Sequence, residues 1–163
     1  DEHLREEWLI LLHPNNFKLE STTVWSFPDR GSWATHSGKY RGNWSPYVPR
    51  NLILRYSNPG EWILDQFMGS GTTLVEAKLL RRNAVGIDIN PQAVSISARN
   101  LQFQCQSNSK TFMRNGSATE LHFIKDNHID FICTHPPYAN IIKYLLIFAT
   151  LKPNLDLLRF FYL

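Results

Sequence analysis

The chain has 163 residues, of which 43% are hydrophobic, and a formal net charge of +3. This length suits one domain with a buried core and is short for two, and the composition excludes a disordered chain. The charge permits binding to a polyanion without a basic tail, and no apolar run is long enough to span a bilayer. The absence of a signal-peptide pattern at the start predicts a cytoplasmic protein. Two cysteines make neither a disulfide framework nor a metal site, and Cys133, in an apolar run, is predicted to be a core residue.

Residues 1–12 are predicted to form a short amphipathic helix, because Leu4, Trp8 and Leu11 recur at helical spacing and acidic residues lie near its amino end. Residues 21–49 show no hydrophobic period and are rich in Trp, Gly, Ser, Pro and basic side chains. An irregular segment of this length in a compact domain is usually functional or mobile.

Basic and aromatic residues alternate within this irregular segment, and two interpretations stay open. They suit contacts to phosphates and stacked bases, or they form an aromatic mini-core with solvated cations around it. The candidate nucleic-acid contacts are Arg30, Lys39, Arg41 and Trp44.

The next predicted element is a helix over residues 49–56, with Pro49 in its first turn, followed by a turn at Asn58-Pro59-Gly60. A short apolar run over residues 62–64 then reads as a buried strand that ends at Asp65. A glycine-spaced turn, a helical pattern from Leu74 and a second apolar strand over residues 84–87 follow, and that strand ends at Asp88. The pattern predicts a β-turn-α-β unit with a carboxylate at the tip of each parallel strand, where such sheets bind ligands.

The turn between these strands limits the ligand. It has no lysine before the hydroxyl pair, as a phosphate-binding loop requires, and Leu74 stands where a dinucleotide-binding turn has its third glycine. Asp65 adds negative charge, which disfavours a pyrophosphate and suits a cationic amine, whereas Asp88 suits ribose hydroxyls. An amine and a ribose without phosphate describe S-adenosylmethionine.

Beyond Asp88 the sequence predicts a helix that Asn90 caps and Pro91 begins, and a strand over residues 110–114. A further strand over residues 129–134 leads into His135-Pro136-Pro137-Tyr138. Consecutive prolines have fixed φ angles, so this corner is expected to be rigid.

The stretch DQFMGSGTT, with GIDIN after it, resembles the D-x-F-x-G-S-G-T-T cofactor motif of the DNA amino-methyltransferases, and HPPY resembles their x-P-P-Y motif. The resemblance implies an α/β, Rossmann-like S-adenosylmethionine-dependent methyltransferase fold with a mostly parallel sheet, incomplete at the C-terminus. The resemblance covers residues 45–144, and the length of the chain predicts a single methyltransferase catalytic domain over residues 1–163. Within it, residues 1–44 form the helix and irregular segment, residues 45–144 the cofactor and catalytic core, and residues 145–163 an unassigned tail.

The resemblance also implies the roles of individual residues. The turn after the third strand supports the adenine ring, and the segment before the first strand covers the methionine end of the cofactor. The expected cofactor-binding residues are Asp65, Phe67, Gly69, Ser70, Gly71, Thr72, Thr73, Asp88, Ile89, Ser117, Ala118 and Tyr47. The expected catalytic residues are His135, Pro136, Pro137 and Tyr138, with no metal.

The x-P-P-Y corner has the groups that are needed to bind and activate the exocyclic amine of a base. An exocyclic amine on a base is a poor nucleophile, and a side-chain acceptor together with the carbonyl between the prolines can hold its two hydrogens. Tyr138 can stack on a base that has been flipped out of the duplex. His135 departs from the Asp, Asn or Ser usual in the family; neutral imidazole accepts one hydrogen bond and can take the proton afterwards. Thr134 and Tyr144 resemble the cytosine-directed branch, with adenine open.

The sequence therefore predicts a DNA methyltransferase, of restriction-modification type, that acts on the amine of cytosine or adenine in double-stranded DNA. An RNA base amino-methyltransferase of the same fold and a truncated, noncatalytic binding subunit are the alternatives. Because room for the remaining strands is lacking after Tyr144, a dimer partner or a missing complementary segment is expected to complete the sheet.

Overall fold

The computed structural model describes residues 12–137. The predicted helix over residues 1–12 lies almost entirely outside this range, as do Tyr138, Tyr144 and the tail. The elements in chain order are α1 (Tyr47–Tyr56), β1 (Trp62–Asp65), α2 (Thr72–Leu79), β2 (Asn83–Asp88), α3 (Pro91–Asn100), β3 (Thr111–Asn115) and β4 (Phe131–Ile132).

The four strands form one sheet in the order β3-β2-β1-β4, and every neighbouring pair is parallel. The register sets Asp65 opposite Gly86 and Asp88 opposite Asn115, so the carboxyl ends of the strands meet at one edge. The order reverses between β1 and β4, which makes this edge the switch point where such sheets bind ligands. The predicted Rossmann-like α/β fold is confirmed over the described residues.

One face of the sheet packs against the helices. Ile63 and Ala84 from the strands meet Ile53 of α1 and Leu74 of α2, and Cys133 joins this cluster at 2% exposure, as predicted. The opposite face presents Leu64, Val85 and Ile87, which are covered by apolar residues of the connection between β3 and β4: Leu121, Phe123, Ile124 and Ile129. Within the described residues, no helix is long and apolar enough to cross a membrane.

Strand β4 and helix α1 differ from the predicted bounds by two residues at an end, whereas β1, β2 and β3 differ by one. The strand predicted over residues 129–134 is regular only at Phe131–Ile132, because Asp130 uses its side chain as well as its backbone to pair with Trp62. Helix α1 begins at Tyr47, two residues before the prediction, and Pro49 still lies in the first turn, where its missing N–H costs nothing. The cap of α3 is confirmed, since the Asn90 side chain accepts from the Gln92 amide.

The irregular N-terminal segment is attached to α1 and α2 through the carboxylate of Glu76, which is fully buried in α2. The ring N–H groups of Trp33 and His36 both lie 2.7 Å from Oε1, and Arg50 Nη1 of α1 donates to Oε2 at 2.7 Å. Arg50 Nη2 lies 3.0 Å from Nδ1 of His13, whose pKa is lowered by burial and by the Arg50 charge, so the neutral ring can accept this bond. The carboxylate thus has charged and neutral donors, as a buried charge requires.

Replacing this carboxylate tests how far the fold depends on it. We expect Glu76→Gln to lower the free energy of unfolding by about 3–5 kcal/mol, because the buried Arg50 cation loses its counter-charge. Urea unfolding followed by circular dichroism measures the loss. Glu120→Gln, at an exposed position, is the matched control and should change stability by less than about 0.5 kcal/mol. Equal small losses in both variants would contradict this role of Glu76.

Candidate active site at the strand tips

Three strand tips and their polar side chains meet at the switch point of the sheet. Asp65 ends β1, Asp88 ends β2, and Thr134 follows β4, where the Cys133 amide continues the ladder to the carbonyl of Leu64 at 2.9 Å. The Thr134 hydroxyl donates to Oδ1 of Asp65 at 2.7 Å, which connects the corner after β4 directly to the turn after β1. The two motifs found in the sequence are therefore contiguous in space.

The Asp65 carboxylate is buried, with 2% of the residue exposed. Its Oδ1 also accepts from the Phe67 amide at 3.1 Å. Burial raises the pKa of Asp65 to about 6, and the negative charge of Asp88 adds to the rise, while the nearby Thr73 hydroxyl and the hydrogen bonds from the Thr134 hydroxyl and the Phe67 amide oppose it. A carboxyl group in this state is easily ionised by a nearby cation. Its predicted contact with an amine stays a prediction.

The glycine turn is fastened to the tip of β2. The amide of Met68 donates to the Ile87 carbonyl at 3.0 Å, and the amide of Gly69 donates to Oδ2 of Asp88 at 2.9 Å. Gly71 adopts a left-handed conformation with φ of 84° and caps α2, so the helix begins at the site with its amino end. The other predicted turn residues, Ser70, Thr72 and Thr73, are buried beneath it.

Asp88 is arranged to accept further hydrogen bonds. Its Oδ1 accepts from the Asn90 amide at 2.9 Å and its Oδ2 accepts from the Gly69 amide. Burial raises the pKa of Asp88, whereas these two hydrogen bonds lower it by less. Each carboxylate oxygen has two acceptor positions, so one on each remains beyond these bonds, which fits a pair of ribose hydroxyls.

The turn after β3 lies beside Asp88, where the sequence placed the support for a base. Asn115 Nδ2 donates to the carbonyls of Asp88 and Ile89 at 2.9 and 3.0 Å. Ile89 is 40% exposed, and the Ser117 hydroxyl lies 2.8 Å from that of Thr119. The Gly116 amide donates to the Asp88 carbonyl at 3.0 Å, so the turn that carries Ser117 and Ala118 begins beside Asp88. The contacts of Ile89, Ser117 and Ala118 to an adenine ring stay predictions.

A loop from the N-terminal segment, residues 37–45, lies over the glycine turn; we call it the cover loop. Asn43 Oδ1 accepts from the Thr72 hydroxyl at 2.7 Å, and the ring of Tyr40 lies so close to Gly69 that a Cβ there would be 3.2 Å from Cε1. Trp44 stacks on His135 with ring centroids 5.0 Å apart and planes 17° apart. Asn43 was missed by the sequence analysis, because an isolated asparagine in an irregular segment carries no periodic or motif signal.

His135 sits in this corner half-buried. Burial lowers its pKa, while a hydrogen bond with the Gly42 backbone raises it. Pro136 and Pro137 follow it, also half-buried, and Tyr138 lies outside the described residues. The roles predicted for these four residues in binding the target amine stay predictions.

The predicted nucleic-acid contacts occupy different environments. Arg30 is half-buried, its Nη2 donates to the Trp44 carbonyl at 2.9 Å, and burial lowers its pKa. Arg30 therefore holds the cover loop in place. Lys39 and Arg41 are exposed on the cover loop, and their contact with a phosphate backbone stays a prediction.

Tyr47 packs among aromatic side chains. Its ring stacks on Phe27 at 5.1 Å and meets the edge of Trp33 at 4.7 Å. These contacts support the aromatic mini-core interpretation for this part of the segment. The predicted contact of Tyr47 with a cofactor stays a prediction.

Two family models match the chain. The model described as DNA methylase matches residues 2–99, and the one described as Conserved hypothetical protein 95 matches residues 51–158. The first therefore spans more than half of the sequence, including the glycine turn, both carboxylates and the cover loop.

Similar proteins are known among curated sequences and solved structures. The chain is 41% identical over 63 residues to Type II methyltransferase M.MjaII of Methanocaldococcus jannaschii, covering 39% of this chain and 12% of the relative. It is 31% identical over 108 residues to Type II methyltransferase M.BglI of Bacillus subtilis, and the match covers 62% of this chain and 30% of the relative. The structure of P. horikoshii TYW2 in complex with MeSAdo matches with a TM-score of 0.43 and 20% identity. This match covers 53% of this chain and 32% of that structure's chain. The chain spans less than a third of these curated relatives.

The conformation of the glycine turn can be tested without a ligand. Gly71→Ala introduces a Cβ 2.1 Å from the Ser97 hydroxyl at a left-handed φ, so we expect it to destabilise the fold by about 2–4 kcal/mol. Gly60→Ala is the matched control, because Gly60 has φ of 90° with nothing within 4 Å; it should cost only about 1 kcal/mol. Urea midpoints compare the two, and equal losses would rule out the Ser97 contact as the cause.

The buried Asp65 carboxyl predicts a conflict between stability and binding. The pKa of Asp65 is about 6 in the folded chain and 3.8 for an unperturbed Asp side chain. Between pH 3.8 and 6 the folded chain therefore binds more protons than the unfolded chain, so the free energy of unfolding falls as pH rises through this range. We therefore expect Asp65→Asn to stabilise the free protein at pH 7 by up to about 2–3 kcal/mol. We expect the parent to bind S-adenosylmethionine more weakly below pH 6, as Asp65 becomes protonated. The variant should bind more weakly than the parent at pH 7 and should lack this pH dependence. Thermal unfolding and calorimetry at pH 5 and 7 measure both, and unchanged binding would exclude Asp65 from the cofactor site.

Proposed function

The chain belongs to the DNA methylase family, and we propose on this basis that it carries the catalytic core of an S-adenosylmethionine-dependent DNA methyltransferase. Its substrate is the exocyclic amine of cytosine or adenine within a short site in double-stranded DNA, in a restriction-modification setting. The names of the similar curated proteins support this class of activity.

One observation carries the proposal: the hydrogen bond from Thr134 to Asp65. It places the start of the His-Pro-Pro corner against the turn that would bind the cofactor, although the two are 69 residues apart in sequence. Methyl transfer requires the amine and the methyl donor to be aligned, and a fixed distance between their binding corners supplies that alignment.

The residues at the strand tips fit S-adenosylmethionine. Asp88 has acceptor positions for ribose hydroxyls, exposed Ile89 offers an apolar surface to a base, and the buried charge of Asp65 suits the amine. Phe67 and Gly69, both half-buried, and the buried turn residues 70–73 form the rest of the site wall. The bound cofactor would supply an electrophilic methyl group.

The corner after β4 supplies the acceptors for the target amine. Lowered pKa keeps His135 neutral near pH 7, so one ring nitrogen can accept a hydrogen of the amine and then hold the proton that the amine releases. The Pro136 carbonyl would accept the second hydrogen, and Tyr138 would stack on the flipped base. Exposed Lys39 and Arg41 would contact the DNA backbone. Thr134 favours cytosine as the target base, with adenine open.

Transfer of labelled methyl groups tests the proposal. We expect the chain to move the label from S-adenosylmethionine to duplex DNA and not to transfer RNA, with the product identified as N4-methylcytosine or N6-methyladenine by mass spectrometry. His135→Ala should lower the rate by about 100-fold or more, as expected on loss of a proton acceptor. His128→Ala, exposed and away from the strand tips, is the control and should leave it unchanged.

Other outcomes of this assay are equally decisive. Label in transfer RNA alone would replace DNA with RNA as the substrate. Cofactor binding without transfer to either nucleic acid would reduce the chain to a noncatalytic binding subunit.

A further inference from the structure

His135 is held between two parts of the cover loop. The ring of Trp44 stacks on the imidazole nearly in parallel, at 5.0 Å between centroids, and the backbone of Gly42 makes a hydrogen bond with the imidazole. Both contacts come from a segment that precedes the Pro-Pro corner by about ninety residues in the sequence. A flat side chain clamped in this way has little freedom in either of its side-chain torsions.

The hydrogen bond to Gly42 determines which protons the imidazole carries. This contact raises the pKa of His135, the direction that a ring N–H donating to the Gly42 carbonyl gives. In a neutral imidazole one nitrogen is a donor and the other an acceptor. If the N–H of one ring nitrogen donates to the Gly42 carbonyl, the other ring nitrogen of the neutral His135 is the acceptor.

Trp44 is itself fixed on both sides. Arg30 Nη2 donates to its carbonyl at 2.9 Å, and the Ser45 hydroxyl donates to the Arg30 carbonyl at 2.8 Å. The preceding residue, Asn43, accepts from Thr72 at the start of α2. The backbone that carries the indole is therefore bonded to Arg30 and, through Asn43, to the amino end of α2.

We propose that Trp44 is a positioning residue for His135: together with the Gly42 carbonyl it selects one neutral tautomer and directs the accepting nitrogen toward the exocyclic amine of the target base. This inference rests on the proposed methyl transfer and deepens it. It also gives a physical reason for histidine at this position. Neutral imidazole accepts at only one of its two ring nitrogens, so the tautomer and the ring orientation must both be fixed, whereas the carboxylate of an Asp accepts at either oxygen.

Nuclear magnetic resonance of the histidine rings tests the positioning without any substrate. In the chain labelled with ¹⁵N-histidine, His135 is assigned by the resonances missing from His135→Asn. We expect one predominant neutral tautomer and a pKa below the ordinary value. In Trp44→Ala the pKa should rise as burial is lost, and the two tautomers should become mixed. Charged groups near the corner, namely Asp65 bonded to Thr134, Arg30 bonded to Trp44 and exposed Arg41 beside Gly42, are the same in both proteins.

Kinetics test the consequence for transfer. We expect Trp44→Ala to lower kcat by about 10-fold to 100-fold, the effect of a misplaced acceptor, with the KM for S-adenosylmethionine within about 2-fold. Trp44→Phe should recover most of the rate because it keeps a stacking ring. In the His135→Asn background, Trp44→Ala should lower kcat by less than about 2-fold, because residues that act through each other are not additive.

Trp25→Ala is the matched control, since Trp25 lies in the same segment and its contacts within the described residues are with Thr22, Phe27 and Arg55 and not with His135. It should change neither the tautomer of His135 nor kcat. An unchanged tautomer and pKa in Trp44→Ala, or an equal loss of kcat in both backgrounds, would overturn the positioning role. If the parent transfers no methyl group at all, the proposed function fails, whereas the resonance measurement still decides whether Trp44 orients His135.

Discussion

The buried carboxylate of Glu76 is the interaction on which the site depends. A full negative charge inside the core is costly unless several donors surround it, and here Trp33, His36 and Arg50 provide them. Two of these donors come from the irregular N-terminal segment and the third from α1. The charge on α2 therefore holds in place residues 21–46, which lie in no helix or strand.

Ordering this segment has a direct effect at the strand tips. Because Trp33 and His36 are fixed on α2, the cover loop that follows is positioned above the amino end of the same helix, where Asn43 bonds to Thr72. Trp44 then meets His135, and the glycine turn, the loop and the corner after β4 become neighbours. The candidate active site is composite: it is assembled from three chain segments that a single buried charge and a parallel sheet bring together.

Predictions from sequence succeeded where structure is local. The apolar runs around Ile63 and Val85, the turn between them and the Asn90 cap each follow from neighbouring residues, and the structure confirms them. Local pattern was less accurate for β4, because Asp130 pairs with Trp62 partly through its side chain. The irregular segment was expected to bind nucleic acid or to form an aromatic core. Tyr47 supports the core, whereas Lys39 and Arg41 remain exposed.

By itself, the sequence determined the β-turn-α-β unit, the order of the two motifs and the family to which the chain belongs, since these depend on residue spacing along one strand or turn. Only the tertiary structure decided which distant side chains meet. That Glu76 binds Trp33, that Thr134 binds Asp65 and that Trp44 stacks on His135 are contacts across 43, 69 and about ninety residues of chain. Such contacts follow from parallel strands ending at one edge and from a buried charge that must be satisfied, neither of which leaves a periodic signal in sequence.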